Sequence, residues 1–399
     1  MTSLTAALTG ALGCFHNEQA DAKLVYGPQR QAVLSLKKAE HAFETITSWP
    51  NYQASDLHLL ESMAKEANIA QIYYKDESTR FGLKSFKALG GAYAVTRFLQ
   101  EHLSLLNGKE PSMSDLLSGH YKEQLKDVVV SCATDGNHGR SVAWGAQMFG
   151  CQCIIYIHRD VSVGRQSAME AYAAKVIRIT GNYDESVRQA AVDAKKYDRA
   201  IISDTSYEGY TKVPANVALG YTVMLSETVT QLNGQIPTHV FIQAGVGGLA
   251  AAVCGYFWDL WGDKRPRFVV VEPEAANCLQ ESAKAGELQV VEGDLDTLMA
   301  GLACGEVSHI AWEILDKGAD DFITLSEDAV APCMRALEQH TPSIEAGESA
   351  VAGLAACIVG AQNAKWRLAL GLDEQSKVLV LGTEGATDPE LYQELVFGA

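Results

Sequence analysis

The sequence predicts an α/β fold with parallel-rich, twisted sheets covered by helices. Two observations lead there. From about residue 125 onwards, short runs rich in Val and Ile alternate with helical patterns, and such alternation is the mark of parallel strands joined by crossover helices. Several of the runs are continuously apolar, as expected of strands covered on both faces.

Taken in order, strands are expected at 127–132, 151–158, 175–180, 200–203, 239–243, 268–271, 322–325 and 377–381. Helices are expected between them, at 139–149, 164–174, 183–196, 218–232, 248–260 and 346–364. The segment 183–196 places Val187, Ala190, Ala191 and Ala194 on one face, with charged residues opposite. That spacing is an amphipathic helix. Residues 108–126 mix charges without a clear period and read as a surface excursion, while 342–347 breaks the pattern ahead of a small-residue helix. There is no internal repeat, low-complexity tract or Pro-rich linker.

Composition narrows the function classes. The 399 residues carry 32 Lys and Arg against 49 Asp and Glu, a net charge of −17. That balance argues against nucleic acid and against an anionic membrane surface as partners. No stretch approaches the ~18 consecutive apolar residues of a membrane span. Residues 1–15 place no Lys or Arg ahead of their apolar run, so the reading is a cytoplasmic protein without a secretory signal. Nine cysteines scattered through apolar stretches read as buried thiols rather than a disulfide framework, with Cys278 and Cys304 left open as a pair. No metal-ligand spacing occurs, so no metal is expected.

The 34 glycines concentrate where chemistry is expected. QAGVGGL at 243–249 follows an apolar strand and precedes a small-residue helix. Glycines there let backbone N–H groups cradle a phosphate, although a tight turn reads equally well. SCATDGNHGR at 131–140 joins a strand to a helix near His138. Its small polar residues suit a carboxylate or phosphate, or a simple helix cap. RFGLKSFKALGGA at 80–92 sets Lys84 and Lys87 three apart where a helix begins. The helix dipole disfavours cations there, and a desolvated lysine is a nucleophile. The bland reading is two solvated lysines on a turn. VLVLGTEG at 378–385 is an apolar strand ending in small polar residues, and α/β proteins place ligands at strand C-termini.

The ordered set Ser85, Phe86 and Lys87, then Thr134 to His138, then Gly245 to Leu249, then Thr383, resembles the fold type II pyridoxal-phosphate enzymes. That group includes tryptophan synthase β, the threonine and serine dehydratases and threonine synthase. Within it the chain looks most like the diaminopropionate ammonia-lyases. The features are YKDESTRFGL at 74–83 running into SFKALGG at 85–91, ATDGNHGR at 133–140, DTSYEGY at 204–210 and GTEGATDP at 382–389. The dehydratases usually carry a small residue where Asp135 stands.

The resemblance implies a two-domain fold. A large cofactor-binding domain covers 1–89 and 208–399, and a small α/β domain is inserted at 90–207. It implies pyridoxal 5′-phosphate as cofactor, held covalently by Lys87, with Asn137 on its 3′ oxygen. Gly245, Val246, Gly247, Gly248 and Leu249 would hold its phosphate, and Thr383 would face the pyridine nitrogen. Ser85, Thr134, Gly136 and His138 would receive the substrate carboxylate. Asp135 and Asp204 would meet the cationic β-amine of a diamine, although Asp135 also reads as a helix cap and Asp204 as a turn residue. Tyr183 would close over the site or pack in the core. Asp76, Glu77 and Arg80 would order the turn before Lys87, with Glu348 and Ser349 near the cofactor ring.

The implied reaction is β-elimination of ammonia from 2,3-diaminopropionate, giving pyruvate and ammonia. Lys87 and Asp135 as bases on opposite faces would admit both the D and L forms. The implied assembly is a homodimer whose partner is a small amino acid. Competing readings are a D- or L-serine or threonine dehydratase of the same fold, a β-replacement enzyme, a nicotinamide-dependent dehydrogenase using the 245 loop, and a noncatalytic ligand-binding protein.

Overall fold

The computed structural model describes residues 8–134 and 136–398. Eleven strands form among them: β1 Leu12–His16, β2 Leu57–Leu59, β3 Gln71–Asp76, β4 Val129–Ala133, β5 Gln152–Ile157, β6 Lys175–Arg178, β7 Ala200–Ile201, β8 His239–Gln243, β9 Arg267–Pro273, β10 Asp321–Leu325 and β11 Lys377–Gly382. Contacts divide the chain into two compact units. One holds the described parts of Met1–Leu36, Ala54–Thr79 and Met224–Ala399; the other holds Lys37–Gln53 and Arg80–Val223. Residues 37–53, 80–89 and 208–223 therefore pack with the inserted unit, outside the 90–207 span expected for it. The cause is close helix packing. A Cβ on Gly220 would lie 2.6 Å from the Leu89 carbonyl oxygen, so the helix Lys212–Gln231 rests there on the helix Lys87–Asn107.

The first unit carries a seven-stranded sheet in the order β1-β10-β9-β8-β11-β3-β2. The inner pairs are parallel, and the edge strands β1 and β2 run antiparallel to their neighbours. β8 to β11 match the apolar runs read from the sequence because they are buried on both faces. Their side chains Phe241, Val269, Ile323 and Val380 share one core with the helix Ala352–Gln362. That helix is nearly all small residues and comes close to β8: a Cβ on Gly353 would lie 2.8 Å from the Phe241 carbonyl oxygen.

The second unit carries a fully parallel sheet in the order β6-β5-β4-β7. The helix Tyr183–Tyr197 forms as the amphipathic pattern requires, with a capping box between Asn182 and Glu185. Such a box satisfies the backbone donors that a helix start leaves open. The surface excursion at 108–126 contains two short helices, Met113–Leu117 and Lys122–Leu125.

Candidate active site

Lys87 is the first residue of its helix, which has no acidic residue in its first turn and no side-chain cap. Its Nζ donates to Oδ2 of Asp204. The ammonium also lies 5.5 Å from the Phe86 ring centre and 6.0 Å from that of Tyr221. Ser85 supports the turn by accepting the Lys87 backbone N–H at 3.3 Å. Lys84 stands in the preceding turn in a left-handed conformation, φ 53°.

His138 joins this cluster. Its Nε2 faces the Ile202 carbonyl oxygen at 2.8 Å. A carbonyl only accepts, so Nε2 carries a proton. Nδ1 then faces Asp204 Oδ2 at 3.8 Å. Burial alone would raise the Asp204 carboxyl. The Lys87 ammonium, then His138, reverse this and hold it well below the usual carboxylate range. Asp204 is thus an anion held for cations.

Two loops position the cluster. Thr134, at the end of β4, uses its hydroxyl oxygen to accept N–H groups from Gly136 at 3.1 Å and Gly139 at 3.3 Å. It is this threonine that ties the loop down. Asn137 opens the helix Asn137–Phe149, and its Oδ1 accepts from Arg140 at 3.4 Å. Asp135 lies outside the described residues. After β7, the turn that holds Asp204 is closed by its neighbours. The Ser203 hydroxyl accepts the Thr205 N–H at 3.2 Å, and the Tyr210 hydroxyl bridges the Ile201 carbonyl and the Ser203 N–H at 2.8 and 3.1 Å. The Asp204 carboxylate is thereby presented to Lys87 and His138. Tyr183 stands at the start of its helix with 44% of its surface exposed.

The other predicted residues lie in the first unit. Gly247 caps the helix Gly248–Trp261 with φ +90°, a region that side chains rarely adopt, and that helix start has neither side-chain cap nor acidic residue. A Cβ on Gly245 would lie 2.9 Å from Cys304 Sγ, and Cys278 Sγ meets the Gly245 carbonyl oxygen at 3.8 Å. The loop is anchored where Ser308 donates to the Val246 carbonyl at 2.9 Å. Val246, Gly248 and Leu249 complete it. Thr383 follows β11 and is buried. Its hydroxyl oxygen accepts from Gln243 Nε2 at 2.9 Å, and the same amide donates to the Leu381 and Ala350 carbonyls at 2.8 and 3.1 Å. Ser349 accepts the Gly301 N–H at 3.0 Å, and Glu348 is buried beside it in sequence. Asp76 accepts the Ser78 N–H at 2.9 Å, Glu77 accepts the Ser55 hydroxyl at 2.6 Å, and Arg80 donates to the Gln53 carbonyl at 3.0 Å, which orders the approach to Lys87.

The model of the family described as pyridoxal-phosphate dependent enzyme matches residues 49–384. The diaminopropionate ammonia-lyase of Escherichia coli strain K12 is 36% identical over 387 residues, covering 95% of this chain and 96% of its own length. The chain belongs to the diaminopropionate ammonia-lyase family of pyridoxal-phosphate dependent enzymes. The Escherichia coli diaminopropionate ammonia-lyase in complex with an aminoacrylate-PLP azomethine reaction intermediate superposes with a TM-score of 0.87 at 32% identity, over 98% of each chain. The same protein in complex with D-serine gives 0.89 at 33% identity, again over 98% of each. The D-serine dehydratase of Serratia proteamaculans is more distant, 24% identical over 77% of this chain and 71% of its own.

The residues present fit the cofactor of this family. The glycine cradle at an uncapped helix start suits a phosphate. Gln243 occupies the Thr383 oxygen as a donor, so the Thr383 hydroxyl keeps its own proton for an outside acceptor such as a pyridine nitrogen. The nicotinamide-dependent dehydrogenase reading of the 245 loop is set aside by the family match. Two residues escaped the sequence reading. Gln243 is an amide at the end of an apolar strand, a detectable signal. Tyr221 lies in an apolar helix and reads as core. Among the described residues, no cluster of His, Cys, Asp and Glu is built to hold a metal, and no helix is long and apolar enough to cross a membrane.

Proposed function

We propose that this enzyme eliminates ammonia from 2,3-diaminopropionate with pyridoxal phosphate, giving pyruvate and ammonia. The observation that carries the reading is the Lys87–Asp204 pair at a helix start, in a chain 36% identical to a diaminopropionate ammonia-lyase over 95% of its length. When bound, pyridoxal phosphate supplies the electron sink for the α-carbon.

The chain's own residues do the rest. Lys87 would hold the cofactor covalently and, when free, would take the α-proton of the substrate at Nζ. Asp204, kept ionised by its surroundings, receives the cationic β-amine in a charge-assisted hydrogen bond. The hydroxyls of Ser85 and Thr134 receive the substrate carboxylate on a loop that Gly136 and His138 shape, and Asn137 holds the 3′ oxygen of the cofactor. Gly245, Val246, Gly247, Gly248 and Leu249 hold its phosphate. Thr383 would offer its hydroxyl proton to the pyridine nitrogen, which would keep the electron sink weak and favour loss of the β-substituent. The β-ammonium leaves with its bonding pair as ammonia; the enamine that remains tautomerises to an imine, which water hydrolyses to pyruvate and a second ammonia. Asp135 serves as the second base, on the face opposite Lys87, and Tyr183 closes over the substrate. We infer further that the enzyme is a cytoplasmic homodimer; sedimentation at twice the mass of one chain is the expected outcome.

Borohydride reduction followed by peptide mapping tests the assignment at its centre. The label is expected on Lys87, and a label on Lys84 overturns it.

A further inference from the structure

Tyr221 is 2% exposed, and its hydroxyl has no hydrogen-bond partner of ordinary geometry among the described residues. Such a buried polar atom is costly to keep, and it calls for a group that completes it. The ring has no freedom to turn elsewhere. It packs on Phe86 with centres 4.6 Å apart, and a Cβ on Gly90 would lie only 2.3 Å from its Cε1. The side chain within reach of its hydroxyl is Lys87, whose ammonium lies 6.0 Å from the Tyr221 ring centre. Asp204 accepts from the same nitrogen.

We propose that Tyr221 is a positioning residue for Lys87: its hydroxyl oxygen accepts one N–H of the lysine amine while Asp204 accepts another, which fixes the direction of the lone pair. A neutral primary amine has two N–H bonds and one lone pair at three staggered positions. One acceptor leaves the other two positions interchangeable between N–H and lone pair. A second acceptor removes that ambiguity, and a base whose lone pair already points one way reacts without reorganising. Burial pushes the Tyr221 phenol above its ordinary range, so it stays a neutral oxygen beside the lysine. The inference rests on Lys87 being the cofactor lysine and base.

The test is Tyr221→Phe, which keeps the ring and removes only the hydroxyl. Four properties are compared with the parent: thermal midpoint, borohydride mapping of the loaded enzyme, kcat and KM, and the pH midpoint for acylation of Lys87 in cofactor-free protein. The expected result is a thermal midpoint changed little, because the ring and its packing stay and only one hydrogen bond is lost. Lys87 is still trapped by borohydride. kcat falls about ten-fold with KM changed by less than about two-fold. The Lys87 acylation midpoint drops by about one pH unit, because the ammonium has lost an acceptor. Unchanged kcat and an unmoved acylation midpoint, with or without a fall in thermal midpoint, overturn the proposal and leave Tyr221 as packing. Trapping of another lysine in the parent protein overturns the cofactor-lysine reading itself, a separable outcome that removes the proposal with it.

Discussion

Gln243 Nε2 donates to Thr383 Oγ1 at 2.9 Å while also spanning the Leu381 and Ala350 carbonyls. One buried amide at the end of β8 thus fixes the threonine that follows β11, and it fixes the sense of the threonine's hydroxyl. Thr383→Ala leaves Gln243 two carbonyl acceptors. We expect it to cost less than about 1 kcal/mol of stability yet to lower kcat about ten-fold, the worth of one lost hydrogen bond. Gln243→Leu strands three buried acceptors and should cost about 2–4 kcal/mol. Denaturant unfolding beside a pyruvate assay separates the two. Equal stability losses would show that Thr383 is merely structural.

Gly247→Asp places a side chain at φ +90°, with its Cβ 3.1 Å from the Ala311 Cβ, and a negative charge at the helix start. Cofactor retention through gel filtration, followed by absorbance, should be abolished. Unchanged retention would mean the loop only turns the chain.

Asp135→Asn should harm one enantiomer of diaminopropionate far more than the other. A positioned proton acceptor is worth about 10²–10⁴ in rate, and the loss should fall on the enantiomer that Asp135 serves. Equal losses on D and L forms, measured as kcat/KM, would remove the second base.

Glu272 gives a pH dependence of stability. It is fully buried on β9, and burial pushes its carboxyl from 4.5 up to about 8, against the backbone N–H groups of Leu279 and Gln280 that it accepts. A raised carboxyl pKa means the folded state keeps a proton that the unfolded state releases. Its stabilising share is full below about 4.5 and is lost as pH rises through about 8. Stability should fall across that window, by up to about 1.4 kcal/mol per pH unit. Glu272→Gln should flatten the fall, and equal slopes in the two proteins would contradict the assignment.

Much of the architecture was legible. β8 to β11 were read from sequence because burial on both faces writes a continuous apolar run. β3 was not, because Lys75 and Asp76 at its end read as surface charges. The structure buries Lys75 fully and pairs it with Glu227 at 2.8 Å, with the Ser55 carbonyl and Gln231 as further acceptors. A charge compensated by residues distant in sequence leaves no local pattern. β1 and β2 are short antiparallel edges and carry little pattern of their own. At the site, Lys87 stood out as a lysine against the helix dipole, and its pairing with Asp204 came from the fold. The role of Tyr221 depends on what surrounds a phenol in three dimensions, and no local spacing carries that.

A substrate panel tests the reaction itself most directly. D- and L-diaminopropionate, D- and L-serine and L-threonine are assayed for pyruvate or 2-oxobutyrate under one set of conditions. We predict kcat/KM on diaminopropionate well above that on serine or threonine, with two ammonia released per pyruvate. Faster turnover of serine or threonine than of diaminopropionate would contradict the account and make the enzyme a dehydratase.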